Sequence, residues 1–143
     1  MKKHILLVED SEDDVVLLKR ALKTSGVEVL LDLATTGREA IEYLSRILAE
    51  GADPLQRPRL VLLDLKLPEV LGLDVLKWIR SQPAFQSLIV VILTTSRHRS
   101  DLERAYGLGA NSYLVKPATL DDLQRMMRTF GDYWFAYNEL PEG

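Results

Sequence analysis

The chain has no cysteine among its 143 residues, which excludes a disulfide framework, a thiol nucleophile and a zinc site built from thiolates. It also lacks a basic excess. Its 18 lysines and arginines face 21 aspartates and glutamates, for a formal charge of −3, and non-specific nucleic-acid binding needs a basic footprint. No apolar run reaches the roughly 18 residues of a membrane span. The opening "MKKHILLVED" has two lysines, but its apolar stretch gives way to acids after Val8, too short for the core of a signal peptide. Internal repeats and low-complexity segments are missing as well. What is there, 47% hydrophobic and 27% charged residues, suits one globular domain that buries a core without staples and is expected in the cytoplasm.

Four runs rich in β-branched residues and leucine stand out: "HILLVE" (4–9), "VEVLLDLA" (27–34), "RLVLLD" (59–64) and "LIVVILTT" (88–95). Three are nearly continuous rather than alternating, the pattern of strands covered on both faces. "NSYLVKP" (111–117) reads as a fifth strand, stopped by Pro117. Helical patterns with start signals lie between them. "SEDDVVLLKRALK" offers Ser11 as N-cap with acids in the first turn, and "TGREAIEYLSRIL" pairs Thr36 with Glu39 as a capping box. "GLDVLKWIRS" puts Leu73, Leu76 and Ile79 on one face, and "SDLERAYGLG" puts Leu102 and Ala105 together with Gly109 as the stop. In "TLDDLQRMMRTFGDYWFAY", Thr119 caps and Leu123, Met126, Met127, Phe130 and Trp134 follow the helical period. "AEGADPLQRPR" (49–59) reads as a surface loop without chemistry.

Strands alternating with helices predict right-handed βαβ units and an α/β fold. The expected architecture is a flavodoxin-like, doubly wound five-stranded parallel sheet in the order 2-1-3-4-5. Ligands of such folds sit beyond the carboxyl ends of the strands, where strand order reverses between the first and third. This sequence sets Glu9 and Asp10 at one of those ends and Asp64 at the other. Acids after strands are often helix caps, as Glu12, Asp13 and Asp14 read here. Asp64 differs, because "LKLP" and not a helix start follows it. Three carboxylates at one crevice repel one another, and a hard divalent cation such as Mg²⁺ removes the conflict. Thr94 and Thr95 end the fourth strand with hydroxyl donors. Lys116 ends the fifth, joined to Pro117 by a bond that can be cis. A lysine there is usually solvated, but cation, hydroxyl and ammonium together make a phosphate site around a carboxylate able to accept a phosphoryl group.

The acidic pair, "DLKLPEVLG", the hydroxyl after the fourth strand and "YLVKP" together resemble the response-regulator receiver domains of two-component signalling, along residues 4 to about 130. The resemblance implies Asp64 as phosphoacceptor, Asp10 as direct Mg²⁺ ligand, Glu9 as ligand through water and the backbone carbonyl of Lys66 as a further ligand, with Mn²⁺ able to substitute. It implies Thr94 as switch hydroxyl, Tyr113 as switch aromatic and Lys116 as phosphate-binding lysine. Pro68 and Gly72 match the turn after the acceptor. Glu9-Asp10 stands where many relatives have two aspartates, and Thr95 where a smaller residue is frequent. Lys66 and Ser96 occupy positions that tune the lifetime of the phosphoryl group in relatives. The implied protein is a signalling phosphoacceptor, able to promote its own phosphorylation and dephosphorylation, and not an enzyme.

After the fifth helix the sequence leaves no room for an output domain before Gly143, so residues 1–143 read as a single receiver with an aromatic extension at 131–143. Phe130 and Trp134 continue the core stripe, whereas Tyr133, Phe135 and Tyr137 cannot all share it and suggest a partner surface. The "YWF" and "LP" of the extension and the insertion at 49–59 resemble single-domain regulators that pair with phytochrome histidine kinases. That likeness implies a phytochrome-type sensor kinase, a downstream protein partner, and a homodimer through the fourth helix, fifth strand and fifth helix. Three other readings remain. A flavodoxin-type electron carrier needs a hydroxyl-rich phosphate loop where "EDSEDD" stands, and a phosphohydrolase using an aspartyl-phosphate needs an acid where Lys66 stands. A scaffold that takes no phosphate has no use for Thr94 and Lys116.

Overall fold

A computed structural model of the chain describes residues 3–24, 26, 28–51 and 57–140. Five strands, β1 (Lys3–Val8), β2 (Val29–Ala34), β3 (Leu60–Leu63), β4 (Ile89–Thr94) and β5 (Ser112–Val115), alternate with α1 (Glu12–Thr24), α2 (Gly37–Glu50), α3 (Gly72–Ser81), α4 (Arg99–Gly107) and α5 (Leu120–Gly131). All strand pairs are parallel and the order is β2-β1-β3-β4-β5, as expected.

The continuous apolar runs follow from a sheet covered on both faces. Leu6, Val8, Val61, Leu63, Val90 and Ile92 pack against α2, α3 and Ala105 of α4, while Ile5, Leu7, Leu60, Leu62, Val91 and Leu93 pack against α1 and α5. Each such side chain taken from water stabilises the fold by about 1.5–3 kcal/mol before the entropy of ordering is charged against it. The register sets the strand ends level: Val8 pairs with Leu63, Leu63 with Ile92, and Thr94 with Val115.

Start signals hold with one shift. The Ser11 hydroxyl accepts the Asp14 N–H, the Thr36 hydroxyl the Glu39 N–H, and the Thr119 hydroxyl the Asp122 N–H. The Glu39 carboxylate reaches the Thr35 N–H at 2.7 Å, one residue short of the reciprocal partner of a capping box. α2 runs on to Glu50 and closes with Gly51 at φ 58, so the connection read at 49–59 begins later; its residues 52–56 lie outside the described residues, as does Val27, the expected start of β2.

Two expectations fail on helical phase. Leu102 is exposed, because the inward line of α4 runs through Asp101, Ala105 and Leu108, and Leu102 stands one position off it. Phe135 is half-buried rather than presented outward. After α5 the chain widens into a π-helical turn, Asp132–Tyr137, whose five-residue spacing brings Phe135 edge-on to Phe130 at 6.0 Å. Tyr133 and Tyr137 remain exposed, and Trp134 packs partly on the core. The Lys116–Pro117 bond is trans.

Candidate functional site

The parallel ladder continues one residue past the strands and fixes the backbone of the site. The Glu9 N–H donates to the Ala34 carbonyl, the Asp64 N–H to the Val8 carbonyl and the Lys116 N–H to the Thr94 carbonyl. Residues 107 positions apart thereby meet at the carboxyl end of the sheet. Glu9 and Asp64 are buried and Asp10 is exposed, and their carboxylate oxygens lie within 4.8 Å of one another. The Lys116 ammonium donates to Glu9 Oε1, to Asp14 Oδ2 at 2.9 Å and to Asp64 Oδ2 at 3.3 Å. Its three protons are matched to three carboxylates, with only 10% of the side chain exposed.

Positive charge is in short supply here. Burial pushes Glu9 up to about 7 against the hydrogen bond from Lys116, and the Asp64 charge adds to the rise. Burial works against the Lys116 ammonium, but the hydrogen bonds to Glu9 and Asp14 and the field of Asp64 outweigh it and hold its pKa above the ordinary lysine value. One ammonium among four acids leaves the pocket net negative, and the three clustered oxygens are the hard donors that Mg²⁺ or Mn²⁺ takes. Glu9, Asp10 and Asp64 fit such an ion.

Two loops frame the carboxylates. After β3 the chain doubles back: the Lys66 N–H donates to Asp64 Oδ1 at 3.3 Å, and the Gly72 N–H donates to the Leu65 carbonyl at 3.0 Å. Any side chain at Gly72 would stand 2.1 Å from the Asp64 carbonyl oxygen, so glycine is required there. Glu69, at φ 69, turns the loop between them. The Lys66 side chain itself points to solvent.

After β4, buried Ser96 collects the switch candidates. Its N–H donates to Thr94 Oγ1 at 3.3 Å, its hydroxyl donates to Asp101 Oδ2 at 2.6 Å, and its carbonyl accepts the Tyr113 hydroxyl at 3.0 Å. Burial raises the Tyr113 pKa, the Ser96 bond opposes this, and Asp101 and Asp64 add to the rise.

The structure therefore gathers Glu9, Asp10, Asp64 and Lys116 into one cluster and links Thr94 to Tyr113 through Ser96. The sequence reading missed Asp14 and Asp101. Asp14 passed for a first-turn acid, yet it lies on the line of Leu18, Ala21 and Leu22, the buried stripe of α1, and an acid on that stripe was the available signal.

Comparison with known proteins places the chain in a family. Residues 5–128 match the family model described as response regulator receiver domain. The chain is 40% identical over 137 residues, 96% of its length and 86% of the relative's, to the probable methanogenesis regulatory protein FilR2 of Methanothrix harundinacea. It is 38% identical to the response regulator Rcp1 of Synechocystis over 97% of this chain and 93% of the relative. The crystal structure of Mn²⁺-bound Rcp1 superposes with a TM-score of 0.87 over 97% of this chain and 99% of that one. The phosphorylated cyanobacterial phytochrome response regulator RcpA superposes with a TM-score of 0.90 at 35% identity, over 99% of this chain and all of that one. An acid cluster at the strand ends, a lysine reaching into it from β5 and a hydroxyl after β4 all fall within the matched span, and the chain belongs to the response regulator receiver domain family.

Proposed function

We propose that this protein is a single-domain response regulator that accepts a phosphoryl group on Asp64 from a phytochrome-type sensor histidine kinase in the cytoplasm. It would work as a homodimer paired through α4, β5 and α5 and signal to a downstream protein. The observation that carries the reading is Lys116, whose ammonium bridges Glu9, Asp14 and Asp64 at the ends of three elements. The phytochrome assignment is supported by likeness to Rcp1 and RcpA. Among the described residues no helix is long and apolar enough to cross a membrane.

Mg²⁺ would be held by Glu9, Asp10, Asp64 and the Lys66 backbone carbonyl. Bound there, a divalent cation neutralises charge on the carboxylates and on the transferring group. An Asp64 carboxylate oxygen attacks phosphorus in line as the bond from phosphorus to the kinase's imidazole nitrogen breaks, and the nitrogen keeps that electron pair. The Lys116 ammonium, already 3.3 Å from Asp64 Oδ2, meets the developing charge on an equatorial oxygen. The Thr94 hydroxyl, which accepts the Ser96 N–H, turns away from it to donate to a phosphoryl oxygen. That turn releases the loop to which Tyr113 is tied, and the surface of α4, β5 and α5 changes with it.

Intact mass after incubation with acetyl phosphate tests the reading. A single phosphoryl adduct that forms with Mg²⁺, fails with chelator and is absent from Asp64→Asn is the expected result. No adduct on wild-type protein with Mg²⁺ bound overturns it.

A further inference from the structure

Lys116 divides its three hydrogen bonds unequally with respect to a cation. Two of its partners, Glu9 and Asp64, belong to the carboxylate set that converges within 4.8 Å, and the third, Asp14, does not. A dication entering that set competes with the ammonium for Glu9 and Asp64, and only Asp14 stays uncontested. We propose that Asp14 is a positioning residue that retains the Lys116 ammonium beside Asp64 in the metal-loaded protein. The inference rests on the metal reading above and adds a residue to it.

The surroundings of Asp14 suit the role. It sits in the first turn of α1, where the Ser11 hydroxyl accepts its N–H at 3.3 Å, and it faces inward on the helix that packs against α5. Its position is thus set by α1 and not by the metal ligands. Lys116 is only 10% exposed, and an ammonium stripped of partners at such a place is costly to keep charged and in position. Without Asp14, a cation that binds must displace Lys116 from the acids that hold it and leave it beside a dication. Metal and lysine then exclude each other, although phosphoryl transfer needs both.

Asp14 would also favour a cation merely by its own charge, and a double-mutant cycle separates the two effects. The dissociation constant for Mn²⁺ alone is measured, from the free-ion paramagnetic resonance signal, for wild type, Asp14→Asn, Lys116→Met and the double variant, each checked for a cooperative thermal transition. Asp14→Asn is expected to weaken Mn²⁺ about tenfold or more in the wild-type background, and less than about threefold where Lys116 is already gone, because only the field effect then remains. Asp14→Ala, which keeps no hydrogen-bonding group, is expected to reproduce both factors. Equal factors in the two backgrounds, or no effect in either, overturn the inference and leave the metal reading standing. Wild-type protein that binds no Mn²⁺ overturns both.

Discussion

Gly37 and Gly107 differ in what a methyl group would meet. Gly37, the first residue of α2, lies against the loop that follows β3, and an added Cβ would stand 2.1 Å from the Val70 carbonyl oxygen and 2.8 Å from Val70 Cβ. The nearest atoms are the Val70 carbonyl and its Cβ, fixed to the backbone and not the far end of a flexible side chain, so Gly37→Ala is expected to cost about 1–3 kcal/mol as an overpacked contact. Gly107, the last residue of α4, has nothing within 4 Å of an added Cβ, and Gly107→Ala is expected to hold or raise stability by up to about 1 kcal/mol through the restricted unfolded chain. Urea denaturation of the two variants beside wild type checks both. A Gly37→Ala midpoint equal to wild type would show that the loop yields, and with it the frame around Asp64.

At the scale of elements, Arg80 is what joins α3 to the start of β5. Its guanidinium donates to the carbonyls of Gly109, Phe85 and Leu88 and to Asn111 Oδ1, all between 2.8 and 3.0 Å, and Asn111 Oδ1 also accepts the Val90 N–H. Burial lowers its pKa, but a guanidinium so placed stays charged. Arg80→Met strands three carbonyls and is expected to cost about 2–4 kcal/mol. Amide exchange at Val90 and Asn111 should quicken well before the sheet centre does. Lysine is expected to recover less than half of the loss, having a point charge in place of a planar fork; full recovery by Arg80→Lys would mean that charge alone matters. None of this was legible in "GLDVLKWIRS", because an arginine in the last turn of a helix ordinarily faces solvent and its partners come 5 to 31 residues later. The strands and their order were legible, since continuous apolar runs separated by capped helices admit few topologies. So were Glu9, Asp10, Asp64 and Lys116, because strand ends in such a sheet converge. Asp14 and Leu102 were misread for one reason: each depends on a helix's exact rotation against its neighbours, which the apolar pattern fixes only to within about one residue. Phe135 was misread because the chain widens into a π-helical turn after α5, and a 3.6-residue period does not anticipate that spacing.

For the whole molecule the β5 edge is the surface that a partner would cover. β5 is four residues long and only half-buried throughout, and its flanking helices expose Leu102 and Tyr106 on α4 and Tyr133 and Tyr137 beyond α5. Between β5 and α5 lies a groove of about 600 Å³ lined by Leu114, Met126, Phe130 and Trp134 among others. The opposite edge differs. Leu30 and Leu33 of β2 are exposed, but their odd spacing puts them on opposite faces of the strand, so they form no single patch. Apolar surface on both sides of β5 suits a self-complementary pairing, in which each residue is used twice and about 800 Å² per partner would be covered. Light scattering on the eluting peak at tens of micromolar, the range of a modest dimer affinity, is expected to give about twice the 16.2 kDa of the chain. Tyr133→Glu and Tyr106→Glu, each placing a charge in that face, should return the monomer mass while keeping a single cooperative thermal transition, since both side chains are largely exposed. A wild-type mass of one chain at that concentration would sink the pairing. A dimer indifferent to both substitutions would move the interface away from β5.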